Sequence, residues 1–346
     1  MKLNTAVIEI TNRCNLRCIH CGSDSGAPRD DELSPGELLD LVDQIAELGC
    51  VRVGLLGGEI FLRPDWADAA RRVRAAGMEL VLVTNGLLVD DGILSTLVEL
   101  APSRVGVSID GATRESYRAI RGADAFEKTL EAIDRLAGAG LPAVNAITTF
   151  HRMNLPEFER FIPLLRGRGV SWQVQIAGKA GRFSDDLFFT ADDYRRFCAA
   201  VLDALTGQRD LGISVMDDFG YFPLEPRPKF LHAWGGCQAG IGVLGLRSNG
   251  DVLPCLSLGD AFVVSNVRRE PLRRIWENDA YFDAFRSKEK YLVGHCAACA
   301  VRNRCRGGCS AIAWSATGSL AENPYCIRAM ESGRLLDILC PPDRGD

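Results

Sequence analysis

Ala6-Val7-Ile8-Glu9-Ile10-Thr11-Asn12-Arg13-Cys14-Asn15-Leu16-Arg17-Cys18-Ile19-His20-Cys21 begins as a β-rich apolar run and ends in a loop that carries three thiols. Their spacing is C-x3-C-x2-C, so they can converge on one soft metal centre. A cubane [4Fe–4S] cluster has four irons and takes four thiolates when fully ligated. Three thiolates leave one iron open to another ligand. Zinc also takes thiolates, but a structural zinc closes with four ligands. The fourth would have to be a distant residue or His20, whose backbone is committed to the loop. His20 reads instead as a ring packed beside the metal centre or a cofactor.

Outward from that loop, short β-rich runs alternate with longer amphipathic stretches as far as residue 205. Strands are expected at 6–11, 51–57, 79–84, 104–109, 143–150 and 171–177, and helices at 34–48, 65–76, 90–100, 114–139, 155–168 and 192–205. Ser34 is placed to cap the first helix, with Pro35 at its first position and Gly49 as its stop. Six successive strand–helix units imply an α/β fold, a parallel sheet with helices outside. Six units fall short of the eight that close a barrel, so the expected form is an open, partial (β/α)6 TIM-type barrel. Its active face is then the C-terminal strand ends, where the thiol loop sits. Gly57-Gly58-Glu59, Thr84-Asn85-Gly86 and Ser108-Ile109-Asp110-Gly111 end three of the other strands there. Glycines let a ligand approach the backbone, Glu59 can receive an ammonium, and Ser108 and Asp110 can bind hydroxyls or amines. Each tail alone could be only a turn; beside the thiol loop, together, they read as a ligand cradle.

The chain changes texture after residue 210. A seventh short strand is expected at 213–216, and 219–229 is a Pro- and aromatic-rich connector. Runs 241–247 and 252–255 flank Ser248-Asn249-Gly250-Asp251 and read as a hairpin, because Asn-Gly supplies positive φ angles. Cys237 precedes this hairpin and Cys255 closes it; a helix around 272–286 leads to Cys296, Cys299, Cys305, Cys309 and Cys326. With few aliphatic residues nearby, metal–thiolate bonds are expected to hold this region together. The expected divisions are a barrel at 1–210, a connector at 211–236, a cysteine-rich domain at 237–330 and a frayed tail at 331–346.

A net charge of −5, from 40 basic and 45 acidic side chains, gives no polyanion-binding surface, so nucleic acid is not expected as a partner. No apolar run is long enough to span a bilayer, and the N-terminus runs straight into a strand rather than a signal peptide. The expected compartment is the cytoplasm, where disulfides are unstable and clustered thiols point to metal or redox chemistry. Ten of the 13 cysteines fall in the arrays; Cys50, Cys198 and Cys340 are singletons read as core packing.

These motifs resemble the radical S-adenosylmethionine superfamily. The resemblance is carried by the C-x3-C-x2-C loop and by Leu56-Gly57-Gly58-Glu59-Ile60-Phe61-Leu62-Arg63-Pro64, which follows the family's GGEP motif with Ile60 in place of proline. That departure is expected to alter loop stiffness rather than ligand contact. The resemblance implies that Cys14, Cys18 and Cys21 hold a [4Fe–4S] cluster whose open iron binds the methionine amine and carboxylate of S-adenosylmethionine. One electron then cleaves the sulfonium, and the 5′-deoxyadenosyl radical abstracts a substrate hydrogen. It further implies contacts to the cofactor from Gly57, Gly58, Glu59 and Ser108, with Asp110 and Arg121 as helpers.

The C-terminal array is similar to the SPASM extension of the same superfamily: Cys237-x12-Gly250-x4-Cys255, then Cys296-x2-Cys299-x5-Cys305-x3-Cys309, then Cys326. The alternative is a pair of structural zinc sites. The SPASM resemblance implies one fully ligated auxiliary [4Fe–4S] cluster on Cys296, Cys299, Cys305 and Cys326. A second is held by Cys237, Cys255 and Cys309, its fourth position open or filled by something other than cysteine, since 238–246 contains none. Three clusters in all are expected, with the auxiliary pair carrying an electron away from a product radical.

The chain is therefore expected to be a radical enzyme, an oxidoreductase or maturase, supplied with electrons by a protein such as flavodoxin or ferredoxin. Peptide modification is the first expectation for its substrate. Strand one begins near residue 6, so a leader-binding domain is not expected ahead of the barrel and a separate peptide carrier would serve. Oxidation, epimerisation or decarboxylation of a small sugar or aminocyclitol is the alternative. A plain electron-transfer Fe–S protein would have no use for the three-thiol loop and its glycine-rich face. No general base or hydrogen donor is assigned; Cys198, Asp217, Asp218 and Tyr221 are positions to test.

Overall fold

The computed structural model describes residues 1–207, 210–216 and 235–330. Six strand–helix units open the chain: β1 (Thr5–Glu9) and α1 (Pro35–Glu47), β2 (Arg52–Leu56) and α2 (Trp66–Ala75), β3 (Glu79–Thr84) and α3 (Asp91–Leu100), β4 (Arg104–Ser108) with α4 (Arg114–Arg121) and α5 (Phe126–Gly138), β5 (Val144–Phe150) and α6 (Phe158–Leu165), β6 (Ser171–Ile176) and α7 (Ala191–Gly207). Then come β7 (Ile213–Val215), β8 (Val243–Leu246), β9 (Asp251–Leu253), β10 (Ser265–Asn266), α8 (Leu272–Glu277), α9 (Asp279–Arg286), α10 (Gly294–Ala298), α11 (Arg302–Cys305) and α12 (Ser310–Thr317). The ten strands among the described residues form one sheet, ordered β10-β9-β8-β1-β2-β3-β4-β5-β6-β7. The run from β1 to β7 is parallel throughout. It is the expected partial barrel.

Local chemistry explains the units. Ser34 and Glu37 form a reciprocal capping box on α1, Pro35 sits in its first turn, and Gly49 takes φ +70° just beyond its end. One face of each strand packs against the helices: Ala6, Ile8, Val53, Leu55, Leu80, Leu82, Val105 and Val107 are fully buried. On β5 and β6 this outer face carries Phe150 and Trp172, which stack with Phe158 and Phe161 of α6. By strand alternation the opposite face lines the lumen. There Asn145 bonds Gln173 at 3.2 Å, Gln173 bonds Gln175 at 3.2 Å, and Gln175 bonds the Thr149 hydroxyl at 2.8 Å. The Asn145 Oδ1 atom is buried with no hydrogen-bond partner.

The structure differs from the sequence expectation in three places, of which the first is the helix expected around 272–286: it is two, α8 and α9, divided at Asn278, whose side chain caps the second. The single helix expected over 114–139 is two, because Gly122 takes φ +75° and ends α4. The break serves the thiol loop: Ile19 N–H donates to the Ile120 carbonyl at 2.9 Å, and a Cβ on Gly122 would lie 3.0 Å from the Arg17 carbonyl. The helix expected over 155–168 starts instead as a 3-10 turn at Leu155–Glu157. The expected hairpin forms, and β8 pairs in parallel with β1. The cysteine-rich segment thereby extends the barrel's own sheet. Cys50 and Cys198 are buried; Asp217, Asp218, Tyr221, the 219–229 connector and Cys340 lie outside the described residues. Among those described, no helix is long and apolar enough to cross a membrane.

Candidate active site

The thiol loop is held from several sides. The Gly58 amide donates to the Thr11 carbonyl and the Glu59 amide to the Arg13 carbonyl, both at 2.8 Å. A Cβ on Gly58 would come within 2.3 Å of the Arg13 carbonyl oxygen, so the docking of these two loops requires glycine. Glu32 accepts from the Asn12 amide at 2.6 Å and the Thr11 hydroxyl at 3.0 Å. From beyond β6, Arg182 donates to the Cys18 carbonyl at 3.2 Å and the Ser25 carbonyl at 2.8 Å. Two sulfurs receive backbone N–H groups: Cys14 from Leu16 at 3.4 Å and Cys21 from Ser25 at 3.3 Å. Burial pushes the Cys18 thiol up to about 11 and raises Cys14 as well. Metal loading must therefore displace protons from this loop.

Glu59 is 1 % exposed. One oxygen accepts from the Thr84 hydroxyl and the other from the Asn85 amide, each at 2.8 Å, and no ion pair reaches it among the described residues. Burial accordingly raises its pKa above the usual carboxylate range. A buried carboxylate without a cation suits an ammonium ligand. Gly57 and Gly58 adjoin it, and Ser108 is half-buried on the lumen face at the end of β4.

Asp110 and Arg121 meet each other at 2.7 Å, both buried. Asp110 also accepts from the Thr149 amide at 2.8 Å and lies 3.2 Å from His20 Nε2. Burial opposes its charge, yet His20 and Arg121 hold it well below the usual carboxylate range. This knot ties the thiol loop, α4, β4 and β5 together. Around it His20 Nδ1, His151 Nε2 and Arg121 Nε are buried without partners. Orphaned polar atoms beside three thiols are what a missing polar ligand leaves behind, so the residues fit a cluster-bound cofactor here.

Burial, then His20, pulls His151 down to about 4 from 6.5. Its folded pKa is below its unfolded one, so the stability it contributes is full above 6.5 and is lost as pH falls towards 4. We expect His151→Phe to remove about 3 kcal/mol of the wild-type fall in unfolding free energy between those two values, measured by denaturant unfolding of the apoprotein.

The other seven thiols form two groups. Cys296, Cys299, Cys305 and Cys326 line one cavity together with Asn323 and Tyr325. Cys237, Cys255 and Cys309 pack in a separate apolar cluster with Leu258 and Phe285. Among the described residues no three His, Cys, Asp or Glu side chains are gathered closely enough for a single metal ion.

Sequence reasoning missed Arg182, His151 and the buried Lys288. Arg182 alone had a local signal, the glycines of Gly178-Lys179-Ala180-Gly181 after β6.

Comparison with known proteins agrees with this geometry. The family model described as the radical SAM superfamily matches residues 8–165, and one described as an iron–sulfur cluster-binding domain, SPASM, matches 237–300. An AdoMet-dependent heme synthase of Methanosarcina barkeri is 34% identical, covering 92% of this chain and 95% of its own. The mycofactocin maturase MftC of Mycobacterium tuberculosis is 30% identical over 92% of this chain and 82% of its own. Among solved structures, SuiB of Streptococcus suis bound to S-adenosylmethionine superposes with a TM-score of 0.76 at 17% identity, covering 94% of this chain and 77% of that one.

Proposed function

Because the chain belongs to the radical SAM superfamily and its SPASM subfamily, and is an iron–sulfur enzyme that uses S-adenosylmethionine, we propose that it abstracts hydrogen from a peptide in a maturation reaction. When bound, the cluster on Cys14, Cys18 and Cys21 supplies an open iron and the electron that releases a 5′-deoxyadenosyl radical from S-adenosylmethionine. Glu59 holds the methionyl ammonium, Gly57 and Gly58 let it approach, and Ser108 receives a hydroxyl or carboxylate of the same cofactor. Asp110 and Arg121 keep the loop in register with β4 and β5. Cys296, Cys299, Cys305 and Cys326 would hold one auxiliary cluster and Cys237, Cys255 and Cys309 another, and these groups would supply acceptors for the electron left on the product radical. Flavodoxin or ferredoxin supplies the first electron, and a carrier protein presents the peptide.

The observation that carries the peptide reading is the lumen ladder of Asn145, Gln173, Gln175 and Thr149 with its orphaned acceptor. Neutral amides match a peptide's N–H and C=O groups. The 30% identity to a PqqA peptide cyclase supports it. A tetrapyrrole is the second reading, favoured by the 34% identity to a heme synthase. Its carboxylates would call for cations, which this ladder lacks.

Anaerobic incubation with dithionite, S-adenosylmethionine and either a candidate precursor peptide or a propionate-bearing tetrapyrrole separates the two. Substrate-dependent growth of 5′-deoxyadenosine with the peptide supports the proposal; growth with the tetrapyrrole alone replaces it. In the same assay we expect Glu59→Gln to raise the KM for S-adenosylmethionine about 10- to 100-fold, the loss of one charged hydrogen bond, with iron content unchanged.

A further inference from the structure

Lys288 is 2 % exposed, among the largest fully enclosed side chains of the molecule. Its Nζ donates to the Ser310 hydroxyl at 3.0 Å and to the Gly308 carbonyl at 3.3 Å. An ammonium has three donors, and these two oxygens take two of them. Among the described residues no carboxylate pairs with it. Burying such a cation without an anion is costly, and a long flexible lysine normally reaches water. An anion close by would offset that cost.

The backbone around it joins the two thiol groups. Arg306, Gly307 and Gly308 run consecutively in the left-handed region, at φ 51°, 70° and 67°. This turn lies between Cys305 and Cys309 and aims the Gly308 carbonyl at the ammonium, and a Cβ on Gly307 would crowd Leu292 at 2.8 Å. Cys305 belongs to the group lining the cavity, and Cys309 to the group packed with Cys237. The lysine therefore stands where the chain crosses from one thiol group to the other. Burial pulls its pKa down, while Cys237, Cys309, Cys305 and Cys296 each push it back up. Two of those thiols come from each group.

We propose that Lys288 is a positioning residue shared by the two auxiliary clusters: its fixed ammonium offsets the negative charge of both thiolate sets and raises their reduction potentials together. The proposal rests on the assignment of these seven thiols to two clusters. A [4Fe–4S] centre ligated by thiolates gains one further negative charge on accepting an electron. A cation held in a low-dielectric site stabilises that reduced state more than the oxidised one. Removing the ammonium makes each cluster harder to reduce, which changes how readily either can take the electron from a product radical.

The test uses the full chain, reconstituted anaerobically, as wild type and as Lys288→Met, Lys288→Arg and Ser310→Ala. Iron content is measured first: about 12 irons in the wild type support the underlying cluster assignment, and about four would overturn that assignment rather than the role of the lysine. Potentials are then read by EPR-monitored redox titration of the auxiliary signals. Lys288→Met is expected to lower the reduction equilibrium constant of both auxiliary clusters tenfold or more, a shift of about 59 mV for each tenfold. Lys288→Arg, which keeps the charge, is expected to restore most of the shift, and Ser310→Ala to give a smaller shift of the same sign. A purely structural lysine predicts a different pattern: the methionine and arginine variants would destabilise the apoprotein alike, with potentials unchanged in the loaded protein. Unchanged potentials in a fully loaded Lys288→Met overturn the proposal. If that variant loads poorly, the apoprotein decides: equal or higher thermal stability than wild type supports a charge awaiting its clusters, and lower stability overturns it.

Discussion

Replacing Cys14, Cys18 and Cys21 together with alanine will abolish 5′-deoxyadenosine formation, to the level of a control without enzyme, while the protein retains about eight of about 12 irons, the share of two cubanes in three. The two results belong together. The loop residues approach the β2 tail, α4 and the segment after β6, while the C-terminal thiols are gathered separately in a cavity and an apolar cluster. Losing the first cluster therefore need not unload the others. The effect on cleavage is expected to be total because the cluster proposed for this loop leaves an iron free beside Glu59, where the cofactor's amine and carboxylate can reach it. The auxiliary thiols cannot substitute, since Glu59, Gly57 and Gly58 lie at the barrel mouth and not beside them. Iron analysis and product quantification on one preparation check both halves. A variant that still makes the product would remove the loop from the chemistry.

Asp110→Asn will destabilise the apoprotein by about 3–5 kcal/mol, the cost of leaving a buried ion-pair partner without its counter-charge. Arg121 is 6 % exposed and Asp110 1 %. Asparagine fills the same space, so the cost comes from charge and not from a cavity. The 2.7 Å bond from Arg121 and the 3.2 Å approach of His20 both lose an anionic acceptor. Because His20 sits between Cys18 and Cys21, the loop is expected to loosen and to retain less iron at the first site. Denaturant unfolding of the apoprotein reads the first effect, and iron content after gel filtration the second. Pairing the change with Arg121→Met should recover part of the loss, because the unpaired cation goes with it. A loss below about 1 kcal/mol would show that the pair does not organise the site.

Which parts of this site were legible from sequence follows from how local their determinants are. The three-thiol loop and Gly57-Gly58-Glu59 are contiguous motifs, and the strand–helix rhythm is a periodicity within short windows. The capping box of Ser34 and Glu37 spans one turn. Each was readable because neighbours in sequence decide it. The knot of His20, Asp110, Arg121 and Thr149 was not, since its members come from four elements and only packing brings them together. The same holds for Arg182, which clasps Cys18 from 164 residues away. Gly122 falls inside the single helix expected over 114–139, and only the docking of Ile19 on Ile120 gives the reason the helix stops there. The pairing of β8 with β1 joins residues more than 200 positions apart and leaves no trace in local composition. Lys288 shows the same limit: one lysine among many in sequence, a buried charge once the two thiol groups close around it.

The central claim is that Cys14, Cys18 and Cys21 hold a cluster with one open iron, filled by the amino and carboxylate ends of S-adenosylmethionine against Glu59. Electron–nuclear double resonance on the reduced protein, with S-adenosylmethionine labelled with 15N at its amino group, tests it most directly. The account predicts a 15N coupling in the wild type that disappears in the Cys14/Cys18/Cys21→Ala protein, with the auxiliary signals unchanged. A reduced wild-type cluster at this loop that shows no coupling to the labelled nitrogen, at saturating cofactor, would contradict it.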